Sequence, residues 1–192
     1  VKKGEAVARE VTPDGKTVWS WNGLAAFDRP PFADVDREGW MHVNSLTRLA
    51  NGNTAYIAWH AIPKKIQKRI KGGLPGTAAP DERIYGDVIR EVNPAGDVVW
   101  EWRCWEHMKV ENYPITAQYP REEFGHANTL VPLANGDYLI GFRVINTVAI
   151  VDRKTKKIKW EMRDDSWGGQ HDPHILPNKN LMLFANGQLT SA

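Results

Sequence analysis

The chain has 192 residues, enough for one ordinary core or two small ones, and no apolar run approaches the ~20 residues of a membrane helix. Its 25 basic and 23 acidic side chains nearly cancel to a formal +2, which gives no electrostatic case for nucleic acid or a membrane surface. Cys104 is the single cysteine, so an intrachain disulfide and a cysteine-based zinc knuckle are excluded and the compartment stays unread.

In chain order, Val1-Lys2-Lys3-Gly4 opens no apolar, signal-like stretch. An alternating segment at residues 7–11 then leads through the turn Pro13-Asp14-Gly15-Lys16 into Val18-Trp19-Ser20-Trp21. The same strand, turn and strand return at residues 88–92, Pro94-Ala95-Gly96-Asp97 and Val99-Trp100-Glu101-Trp102. A third version runs from residues 148–152 through Arg153-Lys154-Thr155-Lys156 to Lys159-Trp160-Glu161-Met162. A period of two puts Trp19 with Trp21, and Trp100 with Trp102, on one face, as a core between stacked sheets requires.

A second unit alternates with the first. His42-Val43-Asn44-Ser45-Leu46-Thr47-Arg48-Leu49-Ala50-Asn51-Gly52-Asn53 returns 84 residues later as His126-Ala127-Asn128-Thr129-Leu130-Val131-Pro132-Leu133-Ala134-Asn135-Gly136-Asp137, with seven of twelve positions identical. A worn copy is Gln170-His171-Asp172-Pro173-His174-Ile175-Leu176-Pro177-Asn178-Lys179-Asn180. Asn-Gly between alternating runs predicts a hairpin with a type I′ turn, whose two central residues take positive φ. Between the units lie an insertion at residues 61–83 and a loop at 103–124. The basic run Lys64-Lys65, Lys68-Arg69 and Lys71 reads as a solvated loop or short helix face, with a docking patch as the alternative.

The cleanest repeat gives four strands, at residues 127–133, 137–143, 147–152 and 157–162, which is the blade of an all-β propeller with four-stranded antiparallel blades. The expected layout is one propeller domain across 1–192: a blade end at 7–21, a blade at 43–102 carrying the insertion 61–83, a blade at 127–162 and the start of another at 171–187. Two full blades with flanking partial ones do not close a ring of ~4–8 blades, so the chain is expected to be part of a longer propeller.

In such a propeller the first strand of each blade lines the central channel, and His42, His126 and His171 are expected to converge at one mouth of it. Hairpin pairing places Arg143 opposite Asn128, and the same offset in the preceding blade falls on Trp59. Asn44 and Asn128 either support the site or hold neighbouring turns, and Asp172 either orients His171 or caps a turn. His174 reads as structural, and His107 has no repeat partner. Trp59 and Trp105 are candidate stacking surfaces or core. Converging imidazoles can ligate a metal, act as bases or act as nucleophiles. No carboxylate recurs at the repeat positions to support a three-histidine zinc site, whereas arginine beside a nucleophilic histidine suits an oxyanion substrate.

The His42-Val43-Asn44-Ser45 and His126-Ala127-Asn128-Thr129 blocks, Gly141-Phe142-Arg143, Trp160, Gln170-His171-Asp172 and Phe184-Ala185-Asn186-Gly187 resemble bacterial arylsulfate sulfotransferases and their relatives. The resemblance implies a six-bladed propeller that moves a sulfuryl group from an aryl sulfate to a phenol, with no nucleotide sulfate donor and no cofactor. It implies a transient nucleophile at His171, with His42, His126 and Arg143 on the sulfuryl oxygens and Asn44, Asn128, Gln170 and Asp172 in support. Its implied partners are the small aryl donor and phenolic acceptor, with no nucleic acid and no membrane span, and its implied location is periplasmic or secreted. Ala185 departs from the aspartate often found before Asn-Gly in that last block, which bears on the support of His171. The other readings are a non-catalytic binding or scaffold propeller, a quinone-cofactor dehydrogenase suggested by residues 151–160, and the three-histidine metal site.

Overall fold

The structure, a computed structural model, describes residues 8–21, 41–77 and 82–187. In chain order the elements are β1 (Ala8–Val11), β2 (Thr17–Trp21), β3 (Met41–Arg48), β4 (Thr54–Ala61), α1 (Lys64–Gln67), β5 (Gly72–Leu74), β6 (Tyr85–Val92) and β7 (Val98–Arg103). There follow α2 (Cys104–His107), β8 (Ile115–Pro120), β9 (Glu123–Phe124), β10 (Ala127–Pro132), β11 (Tyr138–Phe142), β12 (Thr147–Val151), β13 (Ile158–Arg163), β14 (His171–Ile175) and β15 (Leu181–Phe184). The fold is all-β, as the alternating patterns require. Two antiparallel meanders, β3-β4-β6-β7 and β10-β11-β12-β13, are flanked by the hairpins β1-β2 and β14-β15. In the second meander β11 is wholly buried and β13 largely exposed, so burial falls toward the outer strand.

The hairpin turns differ from the type I′ expectation. Leu133 N–H donates to Asp137 O (2.8 Å) and Gly136 N–H to Leu133 O (2.8 Å), and only Gly136 has positive φ (87°). That is a three-residue loop ending on a left-handed residue, which asks positive φ of one position rather than two. Asn135 contributes its side chain instead, accepting from Asp137 N–H (3.2 Å). The same bonds close Leu49 to Asn53 and Leu176 to Asn180, where Lys179 takes the left-handed place.

Neighbouring sheets are held by side chains that the repeats carry. Ser45 Oγ accepts from Leu130 N–H (3.0 Å), and its counterpart Thr129 Oγ1 accepts from Asp172 N–H (3.2 Å), so the first strands β3, β10 and β14 lie side by side. At the outer edge Trp100 Nε1 donates to Arg153 O (2.9 Å) and Trp102 Nε1 to Lys156 O (3.0 Å), hooking β7 onto the turn of the following sheet. Trp102 is fully buried, while Trp160, in the place of Trp100, is 39% exposed beside Ile175 and Leu181. The tryptophans thus join sheets as well as filling a core.

A charged core joins the same two sheets. Tyr138 Oη donates to Glu91 Oε1 (2.5 Å), and Arg153 grips both oxygens of that buried carboxylate. Burial pushes the Glu91 carboxyl up, but the bonds from Arg153 and Tyr138 outweigh it, and its pKa is lowered. Its stabilisation is therefore present above the ordinary glutamic acid value and lost as pH falls through the lower folded value. Glu91→Ala is expected to cost about 2–4 kcal/mol near neutral pH, because it strands Arg153 and Tyr138; the exposed half of Arg153 keeps the figure below that of a wholly buried pair. Denaturant unfolding measures it, and the parent–variant gap narrows in acid.

The insertion 61–83 and the loop 103–124 meet each other. β5 pairs in parallel with β8, and Arg69 Nη2 donates to both oxygens of Glu111 (2.7 Å). Of the basic run, Lys64 and Lys65 are exposed on α1, Lys68 caps its C-terminus, and Arg69 and Lys71 follow it. Among the described residues no helix is long and apolar enough to cross a membrane.

Candidate functional site

The chain before β10 is wound tightly. Gly125 (φ 96°) and His126 (φ 51°) are both left-handed, and a Cβ on Gly125 would stand 2.2 Å from Asp87 Oδ2, so this position requires glycine. Asn128 is a bulge between the pairs Ala127–Phe142 and Thr129–Gly141. Arg143 consequently falls opposite His126 rather than Asn128, and its N–H donates to His126 O (3.1 Å).

The three histidines stand at unequal distances from the shared turns, although His42 and His171 both pair with the residue eight after the turn leucine, Ile57 and Phe184. Five residues before Leu49, Leu133 and Leu176 stand Asn44, Asn128 and His171, while the place of His42 and His126 is taken by Gly169. By count His171 takes the asparagine's place, but it is paired, opposite Phe184, where Asn128 is bulged. Ten residues after the same leucines stand Trp59, Arg143 and Asn186. His42 and Asn44 belong to β3, where Met41–Arg48 pairs with β4 through an irregular register; their side chains lie outside the described residues.

His171 is half-buried, with Asn186 Nδ2 3.2 Å from its Nδ1 and the same amide donating to Gly169 O (2.5 Å). Burial first, then the charge of Arg143 and more weakly that of His126, hold its imidazole below the usual range, while a bond to the Gly169 backbone works the other way. His171, Arg143 and His126 therefore share one electrostatic site. Arg143 Nε is buried and has no hydrogen-bond partner in the protein, and its guanidinium lies 5.0 Å from the Tyr119 ring. Tyr119 in turn donates to Gly168 O (3.2 Å).

Of the supporting residues, Gln170 and Asn128 anchor the backbone that leads into His171. Gln170 is fully buried and donates to Thr147 O (2.9 Å) and Phe142 O (3.3 Å), while its own carbonyl accepts from Asn128 Nδ2 (2.6 Å). Asp172 is different. Its carboxylate is 81% exposed and nearest His174, at 3.9 Å from Nδ1, so it does not orient His171; its left-handed backbone (φ 52°) makes the bulge that β14 needs. Asn186 supplies the contact to His171, and Ala185 beside it is exposed. Trp59 stands 6.3 Å from the His126 ring, whereas Trp105 is core.

Two carboxylates escaped the sequence reading. Glu123 Oε2 contacts His126 Nδ1, and fully buried Asp87 lies behind it with its carboxyl pushed well up by burial. The only signal was Glu123 standing three residues before His126 across a glycine; Asp87 is remote in sequence. Among the described residues no group of three His, Cys, Asp or Glu side chains is arranged to hold a metal.

The sign of one coupling can be tested directly. The Arg143 cation disfavours imidazolium at His171, so Arg143→Gln is expected to raise the pH at which His171 titrates by NMR; an unchanged or lower value contradicts the geometry. Since the folded value is below the ordinary 6.5, His171 withdraws stability as pH falls through and below about 6.5, where the unfolded chain takes the proton first.

The fold and the cluster define a repeat-built all-β protein with a cationic, imidazole-bearing site. The chain belongs to the arylsulfotransferase family: the family model described as Arylsulfotransferase (ASST) matches residues 13–191. No curated protein matches the chain. Among solved structures it is similar to a protein of unknown function from Bacteroides caccae, at 12% identity and a TM-score of 0.36, over 94% of this chain and 64% of that one. The chain thus spans under two thirds of that structure's length.

Proposed function

We propose that this protein carries part of a six-bladed propeller that transfers a sulfuryl group from an aryl sulfate to a phenol through a sulfohistidine at His171. The observation that carries the reading is a neutral-leaning imidazole, His171, under the field of an arginine whose Nε has no protein partner. A nucleophile must be unprotonated, and a transferring sulfuryl group brings oxygens whose charge needs a cation close by.

In the proposed sequence a ring nitrogen of His171 attacks sulfur. The N–S bond forms as the S–O bond to the aryl oxygen breaks, and that oxygen leaves with the electron pair. Arg143, His126 and His42 neutralise the sulfuryl oxygens, and a phenolic acceptor then takes the group from the histidine. Asn186, Gln170 and Asn128 hold His171 in place. No nucleotide and no cofactor enters.

The test is peptide mass spectrometry after mixing the protein with nitrophenyl sulfate. One sulfuryl group on the peptide holding His171, discharged by added phenol, supports the reading. A folded protein that gives neither adduct nor nitrophenol is instead a binding module.

A further inference from the structure

Glu123 and Asp87 have no part in the transfer as written above, yet they stand directly behind His126. β9 pairs with β6, Glu123 opposite Tyr85, which fixes the carboxylate in space. The left-handed Gly125 and His126 then turn the chain so that the imidazole meets the glutamate three residues back. Both side chains are largely enclosed, Glu123 at 12% and His126 at 18% exposure. Two carboxyls in one dry pocket cannot both ionise cheaply. Burial drives Asp87 toward its neutral acid, and Glu123 is the carboxyl group in contact with the imidazole. An imidazole whose Nδ1 is held by a carboxylate turns Nε2 to proton exchange and is stabilised when it becomes charged.

We propose that Glu123 is a positioning residue that makes His126 the proton carrier of the sulfuryl transfer, a role that rests on the transfer reading above. In the first half, the His171 N–S bond forms and the aryl S–O bond breaks, the electron pair going to the aryl oxygen. The His126 imidazolium gives its Nε2 proton to that oxygen, and a neutral phenol departs. His126 remains neutral, with Nδ1–H donated to Glu123. In the second half, His126 Nε2 takes the proton of the acceptor phenol as its oxygen attacks sulfur. The N–S bond breaks, its electron pair returns to His171, and His126 is again a cation. No proton is gained or lost over the cycle.

The dependence on leaving group separates this role from a structural one. Nitrophenol leaves readily as an anion and needs little protonation; unsubstituted phenol does not. Glu123→Gln, which keeps size and removes charge, is expected to lose about 100-fold or more with phenyl sulfate and less than about 10-fold with nitrophenyl sulfate. The His171 adduct still forms from the nitrophenyl donor, which shows that fold and nucleophile survive. Equal losses on both donors overturn the relay while leaving sulfuryl transfer intact. A parent protein that forms no adduct removes both. If the glutamine variant gives no adduct where the parent does, Glu123→Asp decides: a loss confined to phenyl sulfate supports the relay, and a uniform loss overturns it.

Discussion

His171→Ala is expected to lower aryl sulfate turnover by about 1,000-fold or more, with the folded state retained. Removal of a nucleophile takes away the covalent route, and the remaining charge-stabilising groups support only a small fraction of the rate. The side chain is half-buried at the start of β14, and its contact to Asn186 joins two strands already paired through His171–Phe184. Its removal should therefore cost little stability. Steady-state release of nitrophenol measures the effect. Turnover within about tenfold of the parent would take the nucleophile away from His171.

Trp102→Ala is expected to cost about 3–5 kcal/mol, the usual range for emptying a buried tryptophan site. The indole is fully buried, stacks on His107 at 5.4 Å with the planes 9° apart, and lies 6.3 Å from Phe142. Its Nε1 hydrogen bond to Lys156 O crosses from β7 to the next sheet, so the substitution opens a cavity and leaves a carbonyl without its donor. Thermal or urea unfolding reads the loss. Trp160→Ala is the internal comparison: that side chain is 39% exposed, and a much smaller cost is expected. Comparable costs at the two positions would mean that sheet-to-sheet hooking is not what Trp102 contributes.

The two variants probe the last strand of one sheet and the first strand of another. The first strands β3 and β10 carry Ser45 and Thr129, which tie each to the next first strand. The last strand β7 carries tryptophans that reach the neighbouring turn. Glu91, with Arg153 and Tyr138, closes the space between. Loss of a tie is expected to shift neighbouring first strands, and with them the spacing of His126, Arg143 and His171. A stability lesion at the rim is thus expected to reach the candidate site through the sheets.

Much of this was legible in the residues. Alternation with a period of two gave the strands, and the repeated turn-forming residues gave their boundaries. Spacing from Leu133 to Arg143 and from Leu49 to Trp59 revealed that equivalent places carry different chemistry. His171 and His126 look alike in sequence, but the bulges of their strands differ: His126 lies opposite Arg143, whereas His171 pairs with Phe184. The type I′ expectation failed for a related reason, since Asn-Gly also fits a loop in which the glycine alone is left-handed.

The sequence by itself determined the all-β repeat, the pairing order within each hairpin, and the stock of imidazoles with one arginine, because these depend on local spacing and on side-chain type. The tertiary structure alone decided which groups meet. The bulge at Asn128 moved Arg143 opposite His126, the left-handed Gly125 and His126 brought Glu123 onto the imidazole, and the approach of β6 buried Asp87 behind it. Those contacts cross between strands far apart in the chain, and the charge states that follow depend on desolvation, which exists only once the sheets have packed.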